Sequence, residues 1–367
     1  MSKSEHLKLQ LLEQIRVSAP GTRLPTEREL SEKYGFSRST VNKVIVELER
    51  ESYVRRRIGS GTYVMPRDTE IRYADGETGR TGRFQGEIII VYPNFFGSIL
   101  WEMVDQAEEL ASKHNIRLTP VKLRPKSDYS ILFSMAERST ELLGVIVIPP
   151  GEGVPCSVYH QLLQYARRVV AADQFTDCRM PGLYGVCGDQ FRQGFLLMNE
   201  LLENGHREIG YVANEPFTPS RKEFLNGVKQ ALYDRRLRWK NIRKSPMVNA
   251  SWQSSLDAGY YGTLPLLQEH PEVTAIFYDT CPGAQAGLAA LNELGRRCPD
   301  EISVIATSCF CGSENYTIPA LTTVSYPARV LMDRAFEIIL MPEKKFPERS
   351  LTPPELHRRA SVRNLML

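Results

Sequence analysis

The chain lacks the marks of a membrane protein, a metal-held fold or a common enzyme. Across 367 residues no apolar run approaches the ~20 residues that a membrane-crossing helix needs. The opening stretch MSKSEHLKLQ has no continuous apolar core, so no secretory signal is expected. There is no GxxxxGK(S/T) phosphate loop, no GxSxG nucleophile elbow and no HExxH zinc motif. The six histidines (His6, His114, His160, His206, His270, His357) are scattered, and His206 in the NGH turn reads as a helix-closing residue after Leu201–Glu203 rather than a base. The seven cysteines are odd in number and include no CxxC, so neither a disulfide framework nor a zinc site is expected and a reducing cytoplasm is the simplest setting. No catalytic residue, metal or cofactor is therefore expected, and no membrane partner.

What is present is an ordinary globular composition, 42% hydrophobic and 24% charged, in a chain long enough for two or three domains. The net charge of +3 conceals an asymmetry. Residues 1–67 carry 13 Lys/Arg against 8 Asp/Glu, a net of +5, whereas the remaining 300 carry 33 against 35. Positive charge gathered in a small N-terminal unit suits a polyanion-binding module, although a solvated basic surface gives the same sum.

That unit centres on Phe36–Glu51, FSRSTVNKVIVELERE. Ser37 can cap a helix by accepting from the Thr40 N–H, and Phe36 with Val41 forms a hydrophobic staple. Val41, Val44, Ile45 and Leu48 share one face, which must bury. Arg38, Ser39, Thr40, Asn42 and Lys43 lie on the other side of the first turns, and all can donate hydrogen bonds to phosphates or base edges. Upstream, Leu7, Leu11, Leu12 and Ile15 give a first amphipathic helix, and Thr26 with Glu29 is a capping box for a second that Gly35 ends. Downstream, Tyr53–Arg57 and Thr62–Met65 read as short strands around Ile58-Gly59-Ser60-Gly61. Three helices and a hairpin make a winged helix-turn-helix.

The run PGTRLPTERELSEKYGFSRSTVNKVIVELERESYVRRRIGSGTYV resembles the GntR-type winged-helix domain along its whole length. The resemblance implies DNA contacts from Arg28, Ser37, Arg38, Thr40 and Gly59. Where that family usually has Arg, this chain has Asn42, which suits adenine rather than guanine. Asn42 could equally face solvent without touching a base, and Arg28 could be spent on an ion pair with Glu32.

Residues 67–86 are rich in charge, Gly and Thr and read as a linker between a head at 1–66 and a second domain at 87–367. There the pattern alternates: strands at Glu87–Tyr92, Ile116–Leu123, Gly144–Ile148 and Arg168–Ala172, with helices at Trp101–Lys113, Tyr129–Leu142 and Tyr159–Tyr165 between them. A second set follows through Ile209–Ala213, Lys222–Arg235, Leu256–Gln268, Thr274–Tyr278, Ala284–Leu294 and Ile302–Ala306. This order predicts two α/β lobes of parallel sheet with ligand between them at the strand C-termini. GVIVIPP, RRVVAADQ, LLENGHREIGYVAN, VTAIFYDT, CPDEISVIATS, IPALTTVSYPARVLMDRA and PPELHRRASV resemble the LacI-type effector domain, related to periplasmic sugar-binding proteins. GntR heads on LacI-type effector domains form a class that includes arabinose-responsive repressors. The expected fold is thus α/β: an N-terminal winged helix-turn-helix plus a two-lobed, periplasmic-binding-protein-like effector domain.

The resemblance implies a cleft lined by Asn94, Phe95, Phe96, Asp173, Gln174, Asp189, Gln190, Arg221, Trp252, Asp279 and Thr280. Asp, Asn, Gln and Arg suit hydroxyl pairs, and Phe or Trp stacks on the apolar face of a sugar ring. Each has a plainer role open to it: Phe95, Phe96 and Trp252 as packing residues, Asp173 and Asp189 as helix caps. Two positions depart from the family. The ligand-gripping Arg expected three residues before Gly227 is Phe224, with Arg221 the nearest cation, and the YDTCPGAQAG segment holding Asp279 is one residue longer than the usual segment. The expectation is a ligand-responsive transcription regulator, a repressor by the family's usual mode. Its expected partners are double-stranded operator DNA, a small-molecule effector of the sugar class, and a second copy in a homodimer. The alternative class is a sugar- or nucleotide-processing enzyme with an accessory DNA-binding head.

Overall fold

The computed structural model describes residues 7–366 except positions 9, 13, 16–17, 19–20, 51–52, 58–60, 65–83, 95–97, 125, 127, 175, 247–252 and 308–311. The chain divides into two compact units, Met1–Gly82 and Arg83–Leu367.

In the first unit residues 7–15 are helical wherever described. Helices α1 (Glu27–Tyr34) and α2 (Arg38–Arg50) follow. The capping box forms at α1: Thr26 Oγ1 accepts from the Glu29 N–H at 3.3 Å, and the Glu29 carboxylate accepts from the Thr26 N–H at 2.7 Å. Gly35 stops the helix at φ +70°, a conformation without steric cost only for glycine, and returns its N–H to Ser31. The wing is β1 (Val54–Arg57) against β2 (Gly61–Val64), antiparallel with Val54 opposite Val64. The second strand begins one residue before the expected Thr62, and Met65 lies outside the described residues. The hairpin gains a third segment that the sequence did not announce. Gly21 and Leu24 donate to the Val64 and Thr62 carbonyls at 2.8 Å, and Val64 donates to Thr22 at 2.9 Å. Leu7, Leu11, Leu24, Leu30, Val41, Val44, Ile45, Leu48, Val54 and Val64 close one core.

The second unit is two lobes. The first is a six-stranded parallel sheet in the order β13-β7-β6-β5-β3-β4. Its strands are β3 (Glu87–Pro93), β4 (Arg117–Leu123), β5 (Leu142–Val147), β6 (Val169–Ala172), β7 (Leu183–Gly188) and β13 (Arg349–Thr352). Alternate residues of one strand face opposite layers. Ile88 and Ile90 pack under α3 (Ser98–Lys113) and the helix Ala328–Leu340, whereas Ile89 and Val91 join the core that includes Leu132 and Leu162. The second lobe orders β14-β12-β11-β10-β8-β9, with β8 (Ile209–Val212), β9 (Arg243–Lys244), β10 (Ala275–Tyr278), β11 (Ser303–Thr307), β12 (Thr322–Ser325) and β14 (Glu355–His357). Only β14 runs antiparallel among these pairings.

The chain passes between lobes after Gly188, after Ser325 and after Thr352. The sequence pattern did not reveal these three crossings, nor β7, β12, β13 and β14. The expected helix Tyr129–Leu142 is also too long: α4 is Ser130–Arg138, and Leu142 already pairs with Glu87 as β5 begins. Two leucines beside a buried strand satisfy either pattern, and backbone pairing decides. Helices α6 (Gln190–Glu203) and α7 (Pro219–Asp234) pack closely because Gly194 and Gly227 bring backbone against backbone. A Cβ on Gly194 would meet the Phe224 carbonyl, and one on Gly227 the Phe191 carbonyl.

The cysteine expectation is corrected. Cys156 and Cys178, 22 residues apart with Cα atoms 5.6 Å apart, form a disulfide joining the start of α5 (Cys156–Leu162) to the loop after β6. Their spacing carries no motif, so the pairing emerges only from the fold.

Candidate functional site

The expected site residues that the structure describes fall in two polar regions, one in each unit. In the first unit the apolar underside of α2 is sealed: Val41, Val44, Ile45 and Leu48 are all fully buried. Ser37 caps the helix, its Oγ accepting from the Thr40 N–H at 3.2 Å. Ser37, Arg38, Ser39 and Lys43 are exposed and Thr40 is half-buried. The donors thus stand at the N-terminal end of a helix, where the backbone dipole also favours an anion. Arg28 is exposed but pairs with Glu32 at 3.0 Å, as its plainer role required. Asn42 is half-buried and already partnered. Its amide donates to the Glu27 carboxylate at 3.2 Å, and Arg56 pairs with the same carboxylate at 3.1 Å. Glu27 therefore ties the two helices to the wing, and a base contact by Asn42 requires that bond to be given up. Gly59 lies outside the described residues. Sequence reasoning overlooked Arg23, whose side chain lies against the wing residue Gly61.

In the second unit the polar groups gather where β8, β10 and β11 end. Asn214 follows β8 and is fully buried. Its Oδ1 accepts from the Asp279 N–H at 2.8 Å and the Thr280 N–H at 3.3 Å, and its Nδ2 donates to Thr280 Oγ1 at 2.7 Å. Glu215 donates its N–H to Asp279 Oδ2 at 3.1 Å, and its side chain accepts from Thr280 Oγ1 at 2.7 Å and Ser255 Oγ at 2.5 Å. Thr307 at the end of β11 donates to the Asp279 carbonyl at 2.5 Å. Arg221, in the first turn of α7, forms a buried ion pair with Asp279 and donates to Tyr211 Oη at 2.6 Å. The guanidinium also lies 5.0 Å from the Phe224 ring centre. Arg221 thus sits one helical turn before Phe224 and still reaches the aspartate, so neither departure in the sequence separates the pair. Burial raises the Glu215 carboxyl above the usual carboxylate range, against lowering hydrogen bonds from Ser255 and Thr280.

On the first-lobe side Asp173 ends β6 at φ +69°, half-buried. Tyr326, on the crossing after β12, donates to Asp173 Oδ1 at 3.0 Å and accepts from Gln190 Nε2 at 3.0 Å. This tyrosine links a residue of one lobe to the first residue of a helix of the other. Burial raises the Asp173 carboxyl, with the Tyr326 hydrogen bond opposing. Asp189 takes its plainer role, capping α6 by accepting from the Arg192 N–H at 2.9 Å. Gln174 is half-buried and Asn94 exposed at the end of β3. Phe95, Phe96 and Trp252 lie outside the described residues. Among the described residues no group of three or more His, Cys, Asp or Glu could hold a metal, and no helix is long and apolar enough to cross a membrane. Sequence reasoning missed Asn214, Glu215 and Tyr326. The first two stand directly after a predicted strand, which is the signal that could have found them; a tyrosine at a crossing carries no local pattern.

Residues 3–64 match the family described as bacterial regulatory proteins, gntR family, and residues 198–362 match the periplasmic binding protein-like domain. The HTH-type transcriptional repressor PurR of Klebsiella pneumoniae is 25% identical over 216 residues, 59% of this chain and 60% of that protein. The PurR repressor of Yersinia enterocolitica is 27% identical over 195 residues, 52% of this chain and 53% of that protein. The chain thus spans between about half and 60% of the length of these relatives. Two solved structures share the fold of the second unit. A LacI family transcriptional regulator of Enterococcus faecium with bound ribose has a TM-score of 0.65 at 22% identity, covering 76% of this chain and 99% of its own. The LacI family regulator CCPA of Weissella paramesenteroides with bound glucose has a TM-score of 0.65 at 18% identity, covering 77% of this chain and 100% of its own. These relatives are repressors and regulators, not enzymes.

Proposed function

From a GntR-type winged helix at its head and a LacI-like, periplasmic-binding-protein-like unit behind it, we propose that this chain is a sequence-specific transcription regulator whose DNA affinity is set by a small molecule. The observation that carries the reading is the recognition helix, α2: a fully buried apolar underside beneath exposed Arg38, Ser39 and Lys43. Arg28, Ser37 and Thr40, with Gly59 at the wing tip, complete the DNA surface, and Asn42 contributes at a base edge only by leaving Glu27. The head is residues 1–66, the tether 67–86 and the effector domain 87–367.

The effector is a sugar held between the lobes of the second unit. Asn94, Asp173, Gln174, Gln190, Arg221, Asp279 and Thr280 meet its hydroxyls, with Phe95, Phe96 and Trp252 against its ring. Support comes from the polar strand ends and from the ribose and glucose bound by the fold's neighbours. The protein acts in the cytoplasm as a homodimer on a two-fold operator, because two heads match two half-sites. It represses until the sugar favours one lobe arrangement over another; a coupling of about 1–3 kcal/mol suffices.

The test is selection of duplexes from a random pool by the full chain, then anisotropy on the enriched site with pentoses and hexoses added singly. The expected result is a pseudo-palindromic site whose affinity changes about 5- to 150-fold with one sugar. No enriched sequence would end the regulator reading. An enriched site that responds to no small molecule would end only the effector part.

A further inference from the structure

We propose that the cleft selects an uncharged or amine-bearing polyol and rejects its phosphorylated and acidic relatives, and that Glu215 sets this choice. The inference rests on the effector reading above and narrows it to a charge class. Among the described residues of the polar cluster, Arg221 is the one cation. A hydroxyl can accept from it while its ion pair stays intact, whereas a phosphate or carboxylate entering the cleft would need its charge. Arg221 is already committed: its side chain is 9% exposed, paired with Asp279 and bonded to Tyr211 Oη at 2.6 Å. Freeing it would leave Asp279, itself 1% exposed, as a buried unpaired charge.

The remaining acidic groups point the same way. Glu215 is half-buried beside Thr280 and Ser255, and Asp173 stands on the first-lobe side with Tyr326. An anionic ligand desolvated near these carboxylates meets like-charge repulsion, and the charge of Arg221 is already spent on Asp279. A hydroxyl or ammonium instead donates to them, which is what a carboxylate accepts best. Glu215 differs from Asp279 in making no direct ion pair with Arg221, which reaches it only through space: its Oε1 accepts from two hydroxyls and an amide, which a ligand's own donors can replace. It is therefore the group whose charge a ligand meets.

The experiment is calorimetric titration and thermal shift of the full chain with matched probes: arabinose, ribose, glucose and galactose; glucosamine and galactosamine; the arabinose, ribose and glucose phosphates; and gluconate and galactonate. The expected result is that at least one neutral or amine member binds, and that its phosphate or acid counterpart binds on the order of 100-fold more weakly. In Glu215→Gln this discrimination should shrink about tenfold, with amine members losing most. A phosphate or acid that binds as well as its parent sugar would overturn the charge rule and leave the sugar reading standing. If no probe of any charge bound, the sugar reading would fall and this inference with it. Discrimination intact in Glu215→Gln would remove the role given to Glu215. Should that variant fail to fold, the wild-type panel alone still decides the charge rule.

Discussion

The two polar regions are built on opposite plans. On α2 the polar groups are held out to solvent and the apolar groups are sealed beneath them: Arg38 and Lys43 are exposed, Val44 and Leu48 fully buried. At the ends of β8 and β10 the polar groups are themselves buried and turned on one another. Asn214, Arg221 and Asp279 are each 9% exposed or less, and each has its partner within the protein. The difference teaches how each surface can respond. A solvated cationic helix meets a phosphate backbone through long-range attraction and needs no rearrangement first. A satisfied buried network yields nothing until a ligand replaces its internal bonds, so occupancy changes which bonds exist inside the lobe.

The sharpest way to break the contrast is Asp279→Ala. Leaving Arg221 buried without its partner should cost the second unit about 3–5 kcal/mol, read as a lower denaturation midpoint, while the first unit is untouched. A neutral outcome would mean that the cleft is open and solvated like α2. Reducing the Cys156–Cys178 bond should cost about 3 kcal/mol, the chain entropy regained by a loop of this length. Denaturation with and without reductant measures it, and the effect belongs to the second unit alone.

Acid sharpens the comparison further. His206 is fully buried, with its ring nitrogens on Thr274 Oγ1 and the Arg363 carbonyl, and burial lowers its pKa to about 4. The folded state binds this proton less readily than the unfolded chain, whose imidazole titrates near 6.5. Its stabilising contribution is therefore complete above about pH 6.5 and lost as pH falls towards 4, by on the order of 3 kcal/mol. His206→Gln should flatten that part of the pH–stability curve. Smaller still, Arg38→Ala should weaken operator binding by about 1–3 kcal/mol while thermal shifts by the effector stay as they were. Loss of both, or of neither, would deny that the regions act separately. Smallest, Thr26→Ala removes one cap and should lower the stability of the first unit by about 1 kcal/mol.

The same contrast explains what could be read from the sequence. The winged helix was legible almost residue by residue, because its signals are local: Thr26 with Glu29, Gly35, Ser37 with Thr40, and the Val41–Leu48 stripe all act within one or two turns. The alternating α/β order of the second unit was legible for the same reason. The crossings after Gly188, Ser325 and Thr352, the bond from Tyr326 to Asp173, and the disulfide were not, because each joins residues that only the fold brings near. Arg221 shows the limit most clearly. Its place one turn before the expected position looked like a defect, and only the helix geometry returns its guanidinium to Asp279.

The claim on which the rest depends is that α2 meets DNA through its exposed cations. The direct measurement is the dissociation constant of the full chain on its selected operator at a series of salt concentrations. If Arg and Lys displace counterions, log affinity falls steeply and linearly with log salt, and Arg38→Ala and Lys43→Ala each lower that slope by about one. An affinity indifferent to salt, or a slope that neither substitution changes, would contradict it.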